Sequence, residues 1–115
     1  MPDKSLDLKK GISSGIGELK SQFSEFEKLS KSVDQWNNDP HYRDLWDNLL
    51  ISIRILEKVA DSYPQERALL NKYFNNMSVE LDRVADYCAN TGESDTAEVI
   101  ASMQRSSKRL EKLIL

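Results

Sequence analysis

Between residues 70 and 88, Leu70, Phe74, Met77, Leu81, Val84 and Cys88 recur at alternating steps of four and three. That spacing keeps all six on one side of an α-helix. Lys72, Asn75, Asn76, Arg83 and Asp86 fall on the other side. A helix with a single apolar stripe is not stable alone in water and must lay the stripe against other apolar surface. The stretch 63–90 is therefore one wall of a helical packing unit, and the remaining sequence has to supply its partners.

A first partner is written in Leu8, Ile12, Ile16, Leu19, Phe23, Phe26, Leu29 or Ser30, Val33 and Trp36, again at steps of three and four. Its early part is interrupted by Gly11, Gly15 and Gly17, each costing about 1 kcal/mol relative to alanine in a helix interior. The glycines predict a firm helix over 18–36 and, before it, a flexible or marginally helical lead-in at 1–17. The bundle domain is accordingly expected to occupy 18–115. Two readings of the lead-in stay open. Ile12 and Ile16 make light contact with the core, or the segment folds only on a membrane or partner. Lys9, Lys10 and Lys20 beside the apolar positions would suit an interfacial helix.

Asn37-Asn38-Asp39-Pro40 is the clearest break. Asp39 can cap the backbone N–H groups of a new helix, and Pro40 suits its first position. A second helix over 40–61 then carries Tyr42, Leu45, Trp46, Leu49, Ile53, Leu56, Val59 and Ala60, with Leu50, Ile51 and Ile55 widening the arc. So broad an apolar face predicts contact with more than one neighbour. Ser62 and Gln65 suit a capping box that starts a separate third helix at Ser62-Tyr63-Pro64-Gln65, the alternative being one helix kinked at Pro64. Asn90-Thr91-Gly92 ends it, with Gly92 in the left-handed position. Asp95 and Glu98 read as a second capping box, opening a helix with Val99 or Ile100, Met103, Leu110, Leu113 and Ile114 inward. The predicted fold is all-α: an antiparallel bundle of three to four amphipathic helices, closed by one chain or by dimerisation.

Charge narrows the function. The net charge of −3 over 115 residues lacks the basic field a nucleic-acid-binding domain needs. Locally, six acids face Arg83 alone between 80 and 98, and Arg105, Lys108, Arg109 and Lys112 face Glu111 alone between 105 and 112. Acids first and bases last complement the dipole of the last helix; a sharper reading makes this basic end a contact for an acidic partner or a lipid headgroup. Residues 1–10 are polar and hold no apolar leader core, and no apolar run approaches a membrane span. With Cys88 as the single cysteine, on an apolar stripe, a cytoplasmic setting is expected.

Catalytic constellations are not written in this chain. His41 is the single histidine, placed in a first helical turn, and Cys88 has no histidine near it in sequence; neither a zinc site nor a Cys–His pair follows. The glycines precede no Gly-Lys-Ser/Thr and follow no strand, so no phosphate loop is present. A non-enzymatic protein is expected, without cofactor, metal or small-molecule substrate, whose partner is another protein or itself. Trp36, Tyr42 and Trp46 crowd the junction of the first two helices; whichever of the two tryptophans is exposed is the candidate anchor, since interface hot spots favour Trp and Tyr.

Reading on from Asn71, a long helix passes Thr91-Gly92-Glu93-Ser94-Asp95 and then runs to Arg109-Leu110-Glu111-Lys112-Leu113. This resembles the first part of the BAR domain of sorting nexins, over about a third of the chain. The resemblance implies a crescent-shaped dimer on curved membrane. It carries over no individual basic residue, and the family's domains are considerably longer. A BAR-like membrane-associating module is thus the alternative to a protein-interaction module.

Overall fold

The computed structural model describes residues 4–91 and 94–114 of the chain. Four long helices and one single turn make up the described elements: α1 (Lys4–Ser30), α2 (Asp34–Asn37), α3 (Pro40–Ala60), α4 (Arg67–Thr91) and α5 (Ser94–Ile114). Each long helix packs against two others, in the ring order α1, α3, α4, α5, and α2 rests on α3. Cross-helix pairs fix the directions. Gly11 and Gly15 meet Leu113 and Leu110, Lys20 meets Glu57, and Asp82 meets Gln104. Ring neighbours are thus antiparallel, and the bundle is an up-down-up-down one, elongated to 54 × 21 × 18 Å.

The stripe that constrains the sequence is core throughout. Leu70, Phe74, Met77, Leu81, Val84 and Cys88 are all buried, joined by Leu45, Leu49, Ile53 and Leu56 of α3 and by Met103, Leu110 and Ile114 of α5. Burying a side chain of this size contributes roughly 1.5–3 kcal/mol, so the shared interior outweighs any local propensity term. On α3, Leu50 and Ile55 are half-buried while Ile51 stays 53% exposed. The apolar arc is therefore wider than the surface its neighbours cover.

The boundary expected at residue 17 is not a break in this structure. α1 is continuous from Lys4 to Ser30, and Ile12 and Ile16 are 0% and 1% exposed. The glycines have a packing reason. A Cβ on Gly15 would lie 3.0 Å from Leu110 Cδ1, and one on Gly11 would lie 3.3 Å from Leu113 Cδ1. Their absent side chains let α1 and α5 approach closely, and the isoleucines are buried as a result.

Three helix ends also differ from expectation. The first helix stops at Ser30 instead of reaching Trp36. Ser30 and Ser32 hydroxyls donate to the Glu27 and Leu29 carbonyls, and Asn37 Nδ2 donates to the Lys31 carbonyl. Such side-chain bonds offer the backbone an alternative to the helical ladder. Asp39 caps α3 as expected, accepting from the His41 backbone N–H at 3.0 Å. Ser62 does not cap the next helix. Residues 61–66 form turns, with Glu66 N–H donating to the Ser62 carbonyl, and α4 begins at Arg67. α3 and α4 are separate helices. α5 starts at Ser94, which places Asp95 in its first turn rather than at the cap. The left-handed closure expected at Gly92 lies outside the described residues.

Candidate interaction surfaces

One end of the bundle is aromatic. Phe23 and Phe26 of α1, Trp36 of α2, Tyr42 and Trp46 of α3 and Tyr87 of α4 form a connected set of ring contacts, with centroids 5.1–6.5 Å apart. The one-turn α2 is the device that inserts Trp36 among them, where it is 0% exposed. Its Nε1–H is buried without a hydrogen-bond partner, a cost of about 1–3 kcal/mol that burial of the large ring offsets. Tyr42 is 4% exposed, and burial pushes its phenol up to about 12, with Ser30 pulling the other way. Trp36 and Tyr42 are therefore packed into the interior. Trp46 alone of the three is half-buried.

Trp46 sits where the ring of helices is loosest. On the far side of α1, glycines draw α5 close; on this side, the Phe23 and Trp46 rings stand between α1 and α3 with centroids 5.1 Å apart. Interaxial distance follows the side chains at the contact, so α1 lies close to α5 at Gly11 and Gly15 and stands off α3 at Phe23 and Trp46. The open seam is a groove of about 560 Å³ whose floor is Phe23, Trp46, Leu50 and Ile53. Lys20 and Glu57 span it in an ion pair of 2.7 Å. A smaller cavity of about 170 Å³, bounded by Tyr42, Arg43 and Asn37, continues it past Trp46 and Glu27, which line both.

A second groove, between α1 and α5, holds about 410 Å³ but is walled by Glu25, Asp95 and Glu98. The basic end of α5 divides in two. Arg109 belongs to the fold: its guanidinium pairs with Glu18 at 2.6 Å and donates to Ser106 Oγ at 3.0 Å, while Ser106 itself donates to Glu18 at 2.8 Å. That trio explains why Ser106 interrupts the apolar stripe of α5, since it is buried where it reaches α1. Arg105 donates to Ser102 Oγ. Lys108 and Lys112 are exposed.

Comparison with protein-family models, with curated proteins and with solved structures finds no match.

The polar tie at the aromatic end is Asp39. Its second oxygen accepts from the Tyr87 hydroxyl at 2.7 Å, linking the start of α3 to α4. That bond, with the His41 backbone N–H, lowers the Asp39 carboxyl below its ordinary range. Burial and the same carboxylate push the Tyr87 phenol up to about 12. The His41 ring is exposed, 6.1 Å from the Tyr87 ring. Burial likewise pushes the Cys88 thiol up to about 12, which keeps it protonated and a weak nucleophile at neutral pH.

The sequence marks Trp36, Tyr42 and Trp46 alike as candidates and does not tell which tryptophan is exposed or in what setting. Phe23, Leu50 and Ile53 read as core positions, and nothing in their spacing says that an apolar groove opens between α1 and α3. The available signal was a contrast of residue size: glycines on one flank of α1 and the bulky Phe23 on the other.

Proposed function

We propose that this chain is a non-catalytic interaction module that binds another protein, or a second copy of itself, through the seam between α1 and α3. The observation that carries the reading is the half-buried Trp46 on the apolar floor of a groove that the bundle leaves uncovered. Tryptophan in a partly desolvated pocket ringed by polar groups is the composition of an interface hot spot. Such a module needs no cofactor and no small-molecule substrate, and its setting would be the cytoplasm. Affinity purification of the full chain beside its Leu50→Glu variant tests the reading. Leu50 lies on the groove floor and is half-buried, so the variant should keep its helical circular-dichroism spectrum and lose the partner. Equal recovery of every copurifying protein by both chains would rule the seam out.

The BAR-like membrane alternative rests on the exposed cations of α5, chiefly Arg105, Lys108 and Lys112. Near an anionic surface each is worth about 1 kcal/mol. No helix among the described residues is long and apolar enough to cross a membrane. Ile12 and Ile16, the residues this reading would insert, are in the core, so the attraction would be electrostatic alone and screened at physiological salt. Sedimentation with phosphatidylserine vesicles should leave the protein in the supernatant. Pelleting that Lys108→Glu and Lys112→Glu abolish would favour the membrane reading.

A further inference from the structure

The seam has a charge that the chain as a whole does not. Lining its two cavities are Lys20, Lys31, Arg43, Arg54 and Lys58 against Glu27 and Glu57, five cations to two anions, in a protein of net charge −3. Both anions are already engaged: Glu57 by Lys20 at 2.7 Å and Glu27 by Lys31 at 3.6 Å. Among the described residues, Arg43, Arg54 and Lys58 form no ion pair. All three project from α3 and are exposed, so they flank one side of an apolar trough with uncompensated positive charge. Of the acids on the same helix, Glu57 is held by Lys20, and Asp44 and Asp47 are exposed and do not line either cavity.

The dimensions fit one kind of occupant. The α3 rim from Arg43 to Lys58 runs about 22 Å at 1.5 Å per residue, and the apolar floor from Trp46 to Ile53 within it about 10 Å, two helical turns. A trough of this length between two antiparallel helices, floored by aromatic and aliphatic side chains, receives the apolar face of another helix. Its anchors would recur at i, i+3 or i+4 and i+7, with the largest against Trp46. Acids beside those anchors would complete the charge of Arg43, Arg54 and Lys58. Deepening the interaction reading above, and resting on it, we propose that the α1–α3 seam binds an acidic amphipathic helix of a different protein.

Self-association through the same trough is disfavoured by this chain's own surfaces. The exposed apolar residues on neighbouring helices, Ile51 and Val79, lie beside Arg83 on the α3–α4 face. Arg83 is paired there with Glu80 at 3.2 Å, so that face brings no net acid to the cationic rim.

The test uses the full chain and a defined probe. It is a lactam-stapled helical peptide of about 16 residues, long enough for four turns, with leucines on one face and glutamates flanking them. A twin carries lysine for every glutamate, and a scrambled acidic peptide destroys the stripe. Fluorescence anisotropy should give saturable binding of the acidic helix, weakened at least tenfold by Trp46→Ala and by Arg54→Glu/Lys58→Glu. The two rim substitutions are on exposed positions and keep the measurement independent of folding. Binding should also weaken as salt rises. Trp46-dependent binding of the lysine twin in preference would overturn the acidic specificity while leaving the seam as an interaction site. Equal binding of the scrambled peptide, no saturable binding, or insensitivity to all three substitutions would overturn the inference outright. A concentration-dependent dimer abolished by Arg54→Glu would assign the seam to a second copy instead.

Discussion

Alanine at Gly17 should stabilise the protein and alanine at Gly15 should not, although the two residues are two positions apart on one helix. Both substitutions remove a helix-interior glycine, a gain of about 1 kcal/mol. At Gly17 a new Cβ meets no atom within 4 Å, so the full gain should appear. For a domain of this size that raises Tm by roughly 4 °C. At Gly15 the new Cβ would sit 3.0 Å from Leu110 Cδ1 and 3.7 Å from Leu110 Cγ. Leu110 is buried and cannot swing into solvent; overpacking a filled site costs about 1–3 kcal/mol. Gly15→Ala should therefore melt level with or below the parent, and about 1–3 kcal/mol below Gly17→Ala. A double-mutant cycle isolates the contact. In a Leu110→Ala background the clash is gone, and Gly15→Ala should stabilise by the full helix term. Thermal melts by far-UV circular dichroism read the four chains of the cycle and Gly17→Ala. If Gly15→Ala stabilises as much as Gly17→Ala in the parent, α1 and α5 do not approach as described and residues 1–17 are a loose lead-in after all.

Other substitutions probe the interior and its one polar tie. Met77→Asp removes a fully buried side chain from α4 and buries an unpaired charge, so it should cost several kcal/mol; an unchanged melting midpoint would put Met77 in solvent. Tyr87→Phe deletes the hydrogen bond to Asp39 and should lower Tm at pH 7. The Asp39 carboxyl is depressed in the fold, so its contribution is present above the unfolded carboxyl pKa of about 3.9 and fades as pH falls through the folded value. The Tm gap between Tyr87→Phe and the parent should accordingly narrow below about pH 4; a gap that is the same at pH 3 and pH 7 would mean that Asp39 and Tyr87 are not paired. Cys88, buried with its thiol pushed up to about 12, should resist alkylation by iodoacetamide at pH 8 until the protein is unfolded.

Legibility differed with the kind of information each residue carried. Periodicity is a one-helix property, so the stripe from Leu70 to Cys88 and the line Tyr42, Leu45, Leu49, Ile53, Leu56 and Ala60 of α3 were readable and are core. The Asn-Asn-Asp-Pro break was readable because Asp39 and Pro40 act on their own backbone. The glycines of α1 misled because propensity is local and their role is not: only the position of Leu110 across the interface gives Gly15 its purpose. Ser106 dilutes a stripe when read along α5, yet it is buried against Glu18 of α1, 88 residues away in sequence. Trp36 and Trp46 were equivalent as letters. Their fates separated when Ser30 and Ser32 ended α1 early and let α2 fold Trp36 into the core. The open seam follows from side-chain size on two flanks of α1, which becomes a site only once the ring order of helices is known.

The two tryptophans permit the most direct test of the claim that this seam is the working surface. Their indole N–H groups give two resonances in a proton–nitrogen correlation spectrum, assigned by Trp36→Phe and Trp46→Phe. On titration with the acidic helical peptide, the Trp46 signal should shift progressively and the Trp36 signal, buried among its own rings, should stay. Movement confined to backbone signals of Arg105, Lys108 and Lys112, with the Trp46 indole unmoved, would contradict the account and place binding on α5.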